Sequence, residues 1–140
     1  MDIWDKSKRS EVMALVRSKN TKPEVIVRKY LFSLGFRYRI NVKKLPGKPD
    51  IVLPKHKTVV FVHGCFWHGH KINGIYHRRI PHSNTEFWQT KIENNINRDA
   101  HNQKLLTEMG WFVIVVWECE LSSKSKRDET FNKLVESINQ

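Results

Sequence analysis

Thr58-Val59-Val60-Phe61-Val62-His63-Gly64-Cys65-Phe66-Trp67-His68-Gly69-His70 decides how this chain is read. Its first part, Thr58 to Val62, is an unbroken run of β-branched and aromatic side chains, the pattern of a strand covered on both faces at the centre of a sheet. The eight positions that follow, His63 to His70, hold three imidazoles, a thiol and two large aromatics. Cores do not collect histidines at that density, so these side chains are expected at a surface or on a ligand. A buried strand that runs directly into such a loop predicts a functional site at the strand's end.

Upstream, Leu45-Pro46-Gly47-Lys48-Pro49 breaks the chain, and Asp50 opens the short apolar strand Ile51-Val52-Leu53. The turn from Pro54 to Lys57 makes these two strands a hairpin. Alternation from Phe36 to Ile40 predicts another strand. Before it, Thr21-Lys22-Pro23-Glu24 reads as a helix start, with Thr21 capping, Pro23 in the first turn and Glu24 completing a capping box. Val25 to Leu34 supply the apolar face and Gly35 the stop. Val12, Met13, Leu15 and Val16 predict a short amphipathic helix over residues 7–17.

Downstream, helical periodicity returns from Asn84 to Met109, and Trp111 to Trp117 predicts a buried strand. Glu118-Cys119-Glu120 lies at its end, Lys124 to Arg127 reads as a loop, and a last helix passes through Phe131, Leu134 and Ile138. The order α, α, β, β, β, long loop, α, β, α predicts an α/β fold, a mixed sheet flanked by helices. With 140 residues, 39% of them hydrophobic, one domain spanning 1–140 is expected.

Lys and Arg number 25 against 14 Asp and Glu, a formal charge of +11. The excess is uneven: 13 basic and 5 acidic residues in the first 50, but 5 and 6 in the last 40. A basic field over the first two-thirds suits a phosphate backbone. No apolar run reaches the length of a membrane span. Met1 to Arg9 lacks the apolar stretch of a secretory signal, so a cytoplasmic, reducing setting and a monomer are expected. There, Cys65 and Cys119 fit a metal site better than a disulfide.

Pro46-Gly47-Lys48-Pro49-Asp50, Phe61 to His70, Thr85-Glu86-Phe87-Trp88, Asn95, Arg98-Asp99 and Val116-Trp117-Glu118-Cys119 occur in order. With Arg9-Ser10 and Asn20 to Glu24, they resemble the very-short-patch-repair (Vsr) DNA mismatch endonucleases from about residue 5 to residue 121. The resemblance implies a restriction-endonuclease-like core that nicks one strand of duplex DNA beside a T:G mismatch, by two-metal phosphodiester hydrolysis. Asp50 then corresponds to the magnesium-binding carboxylate, with the backbone carbonyl of Val62 as a further oxygen ligand. His68 corresponds to the general base, His63 and Asp99 to an accessory pair, and Glu24 to an acid that approaches the metals through water. Phe66, Trp67 and Trp88 correspond to an aromatic wedge in the DNA, with Met13 assisting. Mismatch-repair proteins are candidate partners beside the mismatched duplex.

The chain departs from the family at the structural zinc. Cys65, His70 and Cys119 match three ligand positions, but neither Ile72 nor Ile75 can replace the missing cysteine, and the loop before Thr85 is longer than usual. Structural zinc takes four protein ligands, so either His77 fills the vacancy, with His82 competing, or the site is weak or lost; His77 is the favoured expectation. The residues alone leave two other functions open: a restriction or homing nuclease that cuts intact duplex, and a non-catalytic, zinc-stabilised DNA-binding module.

Overall fold

The computed structural model describes residues 21–140. The helix expected over 7–17, Met13 with it, and the Arg9-Ser10 motif lie outside the described residues. A three-stranded mixed sheet forms the centre, in the order β1 (Ile51–Leu53), β2 (Thr58–His63), β5 (Phe112–Trp117). The hairpin register pairs Ile51 with Val60 and Leu53 with Thr58, antiparallel. β5 runs parallel to β2, from Thr58 opposite Phe112 to His63 opposite Trp117. Among the described residues three helices cover it: α1 (Lys22–Ser33), α2 (Thr85–Glu108) and α3 (Lys124–Ile138). The architecture is the restriction-endonuclease-like α/β arrangement that the sequence predicts.

Strand periodicity splits the core into two layers. Val60 and Val62 face Val27 and Leu31 of α1 and Phe131, Leu134 and Ile138 of α3. Val59 and Phe61 face the other way, onto Leu106 of α2. Every residue of β2 is therefore buried. β5 is not the fully buried strand its composition suggests: Val116 is buried, but Phe112 is 48% exposed, because β5 ends the strand order among the described residues.

Three local readings need correction. The strand expected from Phe36 to Ile40 shrinks to one bridge, in which Arg39 and Val52 exchange two 2.8 Å backbone hydrogen bonds. Asn41, at φ +58°, turns the chain out of the extended region two residues later. Thr21 makes no side-chain cap, and Glu24 completes no capping box. The Glu24 carboxylate instead takes a 2.7 Å bond from Nη2 of Arg28, since a buried guanidinium one turn away is a stronger donor than a backbone amide at the helix mouth. Finally, Lys124 to Arg127 is the first turn of α3 rather than a loop: Ser123 Oγ accepts from the Lys126 amide.

Inside the long loop a small hairpin pairs β3 (Lys71–Ile72) with β4 (Ile75–Tyr76). Asn73 and Gly74 both take positive φ, 55° and 80°, as a two-residue hairpin turn requires.

Candidate active site

Asp50 sits at the mouth of β1 because the turn before it is rigid. Gly47 adopts φ +74°, and a Cβ there would meet Asn102 Cβ at 3.0 Å and Phe61 Cε1 at 3.3 Å, while Pro49 is fully buried. The turn is thereby pressed against β2 and α2. From this position Asp50 Oδ2 accepts a 2.6 Å hydrogen bond from the Val62 amide. Glu24 comes from α1 to the same spot and hydrogen-bonds Asp50. Burial lifts the Asp50 carboxyl to about 7; the Val62 amide and Arg28 oppose the lift, and the Glu24 charge adds to it.

Asp50, Glu24 and Val62 line an open cleft of about 1020 Å³ together with His63, His68 and Asp99. His68 comes from the loop after β2 and Asp99 from the middle of α2, and Asp99 Oδ2 lies 2.5 Å from His68 Nδ1. His63, the last residue of β2, stacks on His68 with ring centres 3.8 Å apart and planes 4° from parallel. The expected His63–Asp99 pair is thus a triad centred on His68: one partner stacks on it, the other bonds to it. Burial drives the His63 imidazole down to about 3, helped by His68 and opposed by Asp99. His63 is therefore neutral at physiological pH.

The loop that carries His68 is clamped to α2. Asn95 Nδ2 donates to the Trp67 carbonyl at 2.9 Å, and Gly69, at φ +60°, has its backbone against Ile92 and Ile96. Phe66 and Trp67 meet edge to face at 5.1 Å, and Trp88 lies 5.7 and 5.8 Å from them. All three rings are half-buried. Phe87, 5.2 Å from Trp88 and 57% exposed, extends this group; its adjacency to Trp88 was the signal that helical periodicity obscured. The cleft also recruits Lys22, Lys48, Asn95, Arg98 and Glu118, which lie in the quoted motifs without an assigned role, and Arg78 and Asn102, which lie in none of them.

Behind the loop a second cluster forms. Cys65 Sγ, Cys119 Sγ and a ring nitrogen of His77 all lie within 4.8 Å of one another. His70 Nδ1 lies 3.5 Å from Cys119 Sγ, and the His77 amide donates to the His70 carbonyl at 2.7 Å. His77, not His82, is the histidine brought to the two thiols. A tetrahedral zinc ion places sulfur ligands about 3.8 Å apart, so the two thiols and His77 fit three positions of a soft zinc set, while His70, stacked on Trp117, stands outside the group. Both cysteines are free thiols, and burial raises Cys65 to about 12. A metal would be needed to make it a thiolate near neutral pH. At Asp50 the donors are hard oxygens instead: two facing carboxylates, one with its proton held by burial, a set that suits a divalent cation such as magnesium.

The geometry has counterparts in known proteins. The chain is 57% identical over 137 residues to the type II nicking enzyme V.NmeAIP of Neisseria meningitidis serogroup A, covering 98% of this chain and 96% of that one. The type II nicking enzyme V.XorIIP of Xanthomonas oryzae pv. oryzae is 50% identical over 121 residues, 86% of this chain and 87% of the relative. The DNA mismatch endonuclease Vsr of Escherichia coli K12 is 38% identical over 136 residues, 96% of this chain and 85% of that protein. Residues 1–74 match the family described as DNA mismatch endonuclease Vsr. With carboxylates and a paired histidine in one open cleft and relatives of this kind along nearly its whole length, the chain belongs to the Vsr family of DNA endonucleases.

Proposed function

We propose that this endonuclease nicks one strand of duplex DNA next to a T:G mismatch, using two magnesium ions held around Asp50. The observation that carries the reading is the convergence of Asp50 and Glu24 with the His68–Asp99 pair on one solvent-open cleft. Bound there, divalent ions would neutralise charge developing on the scissile phosphate. Asp50 and the Val62 carbonyl would hold them, with Glu24 acting through water.

Asp99, against Nδ1, fixes the His68 ring and leaves Nε2 free to take a proton from the attacking water. The Asp99 carboxylate then stabilises the imidazolium that results. Neutral His63 gives that ring a flat support without adding a like charge. Phe66, Trp67 and Trp88 form a half-buried aromatic block, suited to entering a base step. A mispaired step unstacks at lower cost, so the block favours mismatches by deformability. Zinc at Cys65, His77 and Cys119 would brace the loop that carries His68.

The test is nicking of duplexes that carry each mismatch in turn, with and without magnesium. Selective, magnesium-dependent nicking at T:G is expected. Efficient cutting of perfectly paired DNA overturns the mismatch reading and favours an enzyme acting on intact duplex.

A further inference from the structure

The β3–β4 hairpin has little reason to exist as a packing element. Its Ile75 is 73% exposed and its Ile72 48%, and it contributes nothing to either core layer. Yet its exit strand is tied down at one point: His77 joins the Cys65 and Cys119 thiols and bonds to the His70 backbone. The next residue, Arg78, turns into the wall of the catalytic cleft. Lys22 and Lys48 line the same cleft, and among the described residues Arg78 takes part in no ion pair. A guanidinium on an exposed bend, lining a cleft open to a polyanion and in no ion pair among the described residues, is disposed for bidentate contact with a phosphate.

We infer that Arg78 grips a phosphodiester of the bound DNA, and that the Cys65–His77–Cys119 cluster sets its position, so that the metal centre governs DNA binding as well as loop stability. The inference rests on the DNA-nicking reading, but it concerns affinity rather than cleavage. The hairpin acts as an arm: the soft-metal cluster is its anchor at His77, and Arg78 is its contact one residue later. Arg79, the adjacent cation, does not line the cleft and serves as the internal control.

The test is binding of a short fluorescein-labelled duplex by anisotropy, without magnesium so that the DNA stays whole, over a range of salt concentrations. It uses one perfectly paired duplex and one with a T:G mismatch. Arg78→Ala should weaken binding to both by about tenfold and reduce the salt slope by about one. Arg78→Lys should recover part of the affinity and all of the slope, and Arg79→Ala should change neither by more than about twofold. His77→Ala should lose metal and as much affinity as Arg78→Ala, with no further loss in the double variant. Should His77→Ala fail to fold, His77→Cys takes its place, with retained metal and wild-type affinity expected. Equal losses in Arg78→Ala and Arg79→Ala, a loss confined to the mismatched duplex, additive losses with His77→Ala, or weak binding by a metal-loaded His77→Cys each overturn the proposal. A protein that binds as described yet nicks no duplex overturns only the catalytic reading.

Discussion

Asp99 Oδ2 stands 2.5 Å from Nδ1 of His68, joining the middle of α2 to the loop after β2 across 31 positions of sequence. On the proposed mechanism that bond holds the ring of the general base, so its loss should be felt in turnover more than in binding. Asp99→Asn keeps the shape but not the charge, and should lower kcat for nicking by about 10²–10⁴-fold with little change in KM. His68→Ala should do the same, and the double variant should be no worse than the more damaged single one. Single-turnover nicking measures this; a full rate in Asp99→Asn would reduce the bond to a structural role.

Asp50 makes opposite demands on stability and on activity. In the ion-free fold its carboxyl is raised to about 7. A raised acid contributes stability that is complete below the unfolded value, about 4, and is lost as pH climbs through 7. Ion-free Asp50→Asn should therefore melt several degrees above wild type at pH 8 and match it at pH 4. It should bind duplex normally and not nick. His63 has the reverse sign: held near 3, it contributes stability that is full above about 6.5 and is lost as pH falls toward 3. Melting curves across pH, with magnesium titrations, check both slopes; wild type and Asp50→Asn melting alike at pH 8 would contradict the burial argument.

Metal removal should act at a distance from the cleft. The purified chain is expected to carry one equivalent of zinc, and stripping it should lower Tm by about 5 °C or more. Nicking should fall even after magnesium is restored, because His68 shares its loop with Cys65 and His70. Cys119→Ser should reproduce the loss, whereas His82→Ala should leave metal content unchanged. Elemental analysis with calorimetry decides the matter.

Gly69 is a steric gauge of the same loop. A Cβ at this position would lie 2.6 Å from Ile96 Cδ1 and 2.7 Å from Ile92 Cγ2, on backbone already at φ +60°. Gly69→Ala should cost about 1–3 kcal/mol and move His68 away from Asp99. Combining it with Ile96→Ala should recover part of the stability by opening room. Denaturant unfolding, read beside nicking rate, separates the two effects; a fully stable, fully active Gly69→Ala would deny that the loop is pressed on α2.

Much of the fold was legible because its strands and helices announce themselves by period. β2 read as doubly buried from Thr58 to Val62, and α2 from the recurrence of Ile92 and Leu106. What did not read was decided by neighbours distant in sequence. Phe36 to Ile40 has strand composition but only Val52 to pair with, at Arg39. Thr21 to Glu24 carries a capping pattern, but Arg28 and Asp50 claim the Glu24 carboxylate. The Asn73-Gly74 turn was a local signal that the surrounding histidines masked. At the site, residue types pointed to the histidine-rich loop and the thiols, whereas Asp50 and His68 were singled out by the family resemblance. The centring of the triad on His68, and the turn of Arg78 into the cleft, exist only once α2 and the hairpin are folded against β2.

The parallel register of β2 and β5 means that both strands release their chain at the same end of the sheet, where His63 faces Trp117. The site's histidines, the thiols and Asp99 are hung from those two exits or from the helix that joins them, while the valines behind carry the mechanical load. A substitution in those protruding segments therefore leaves the valine layers behind them untouched.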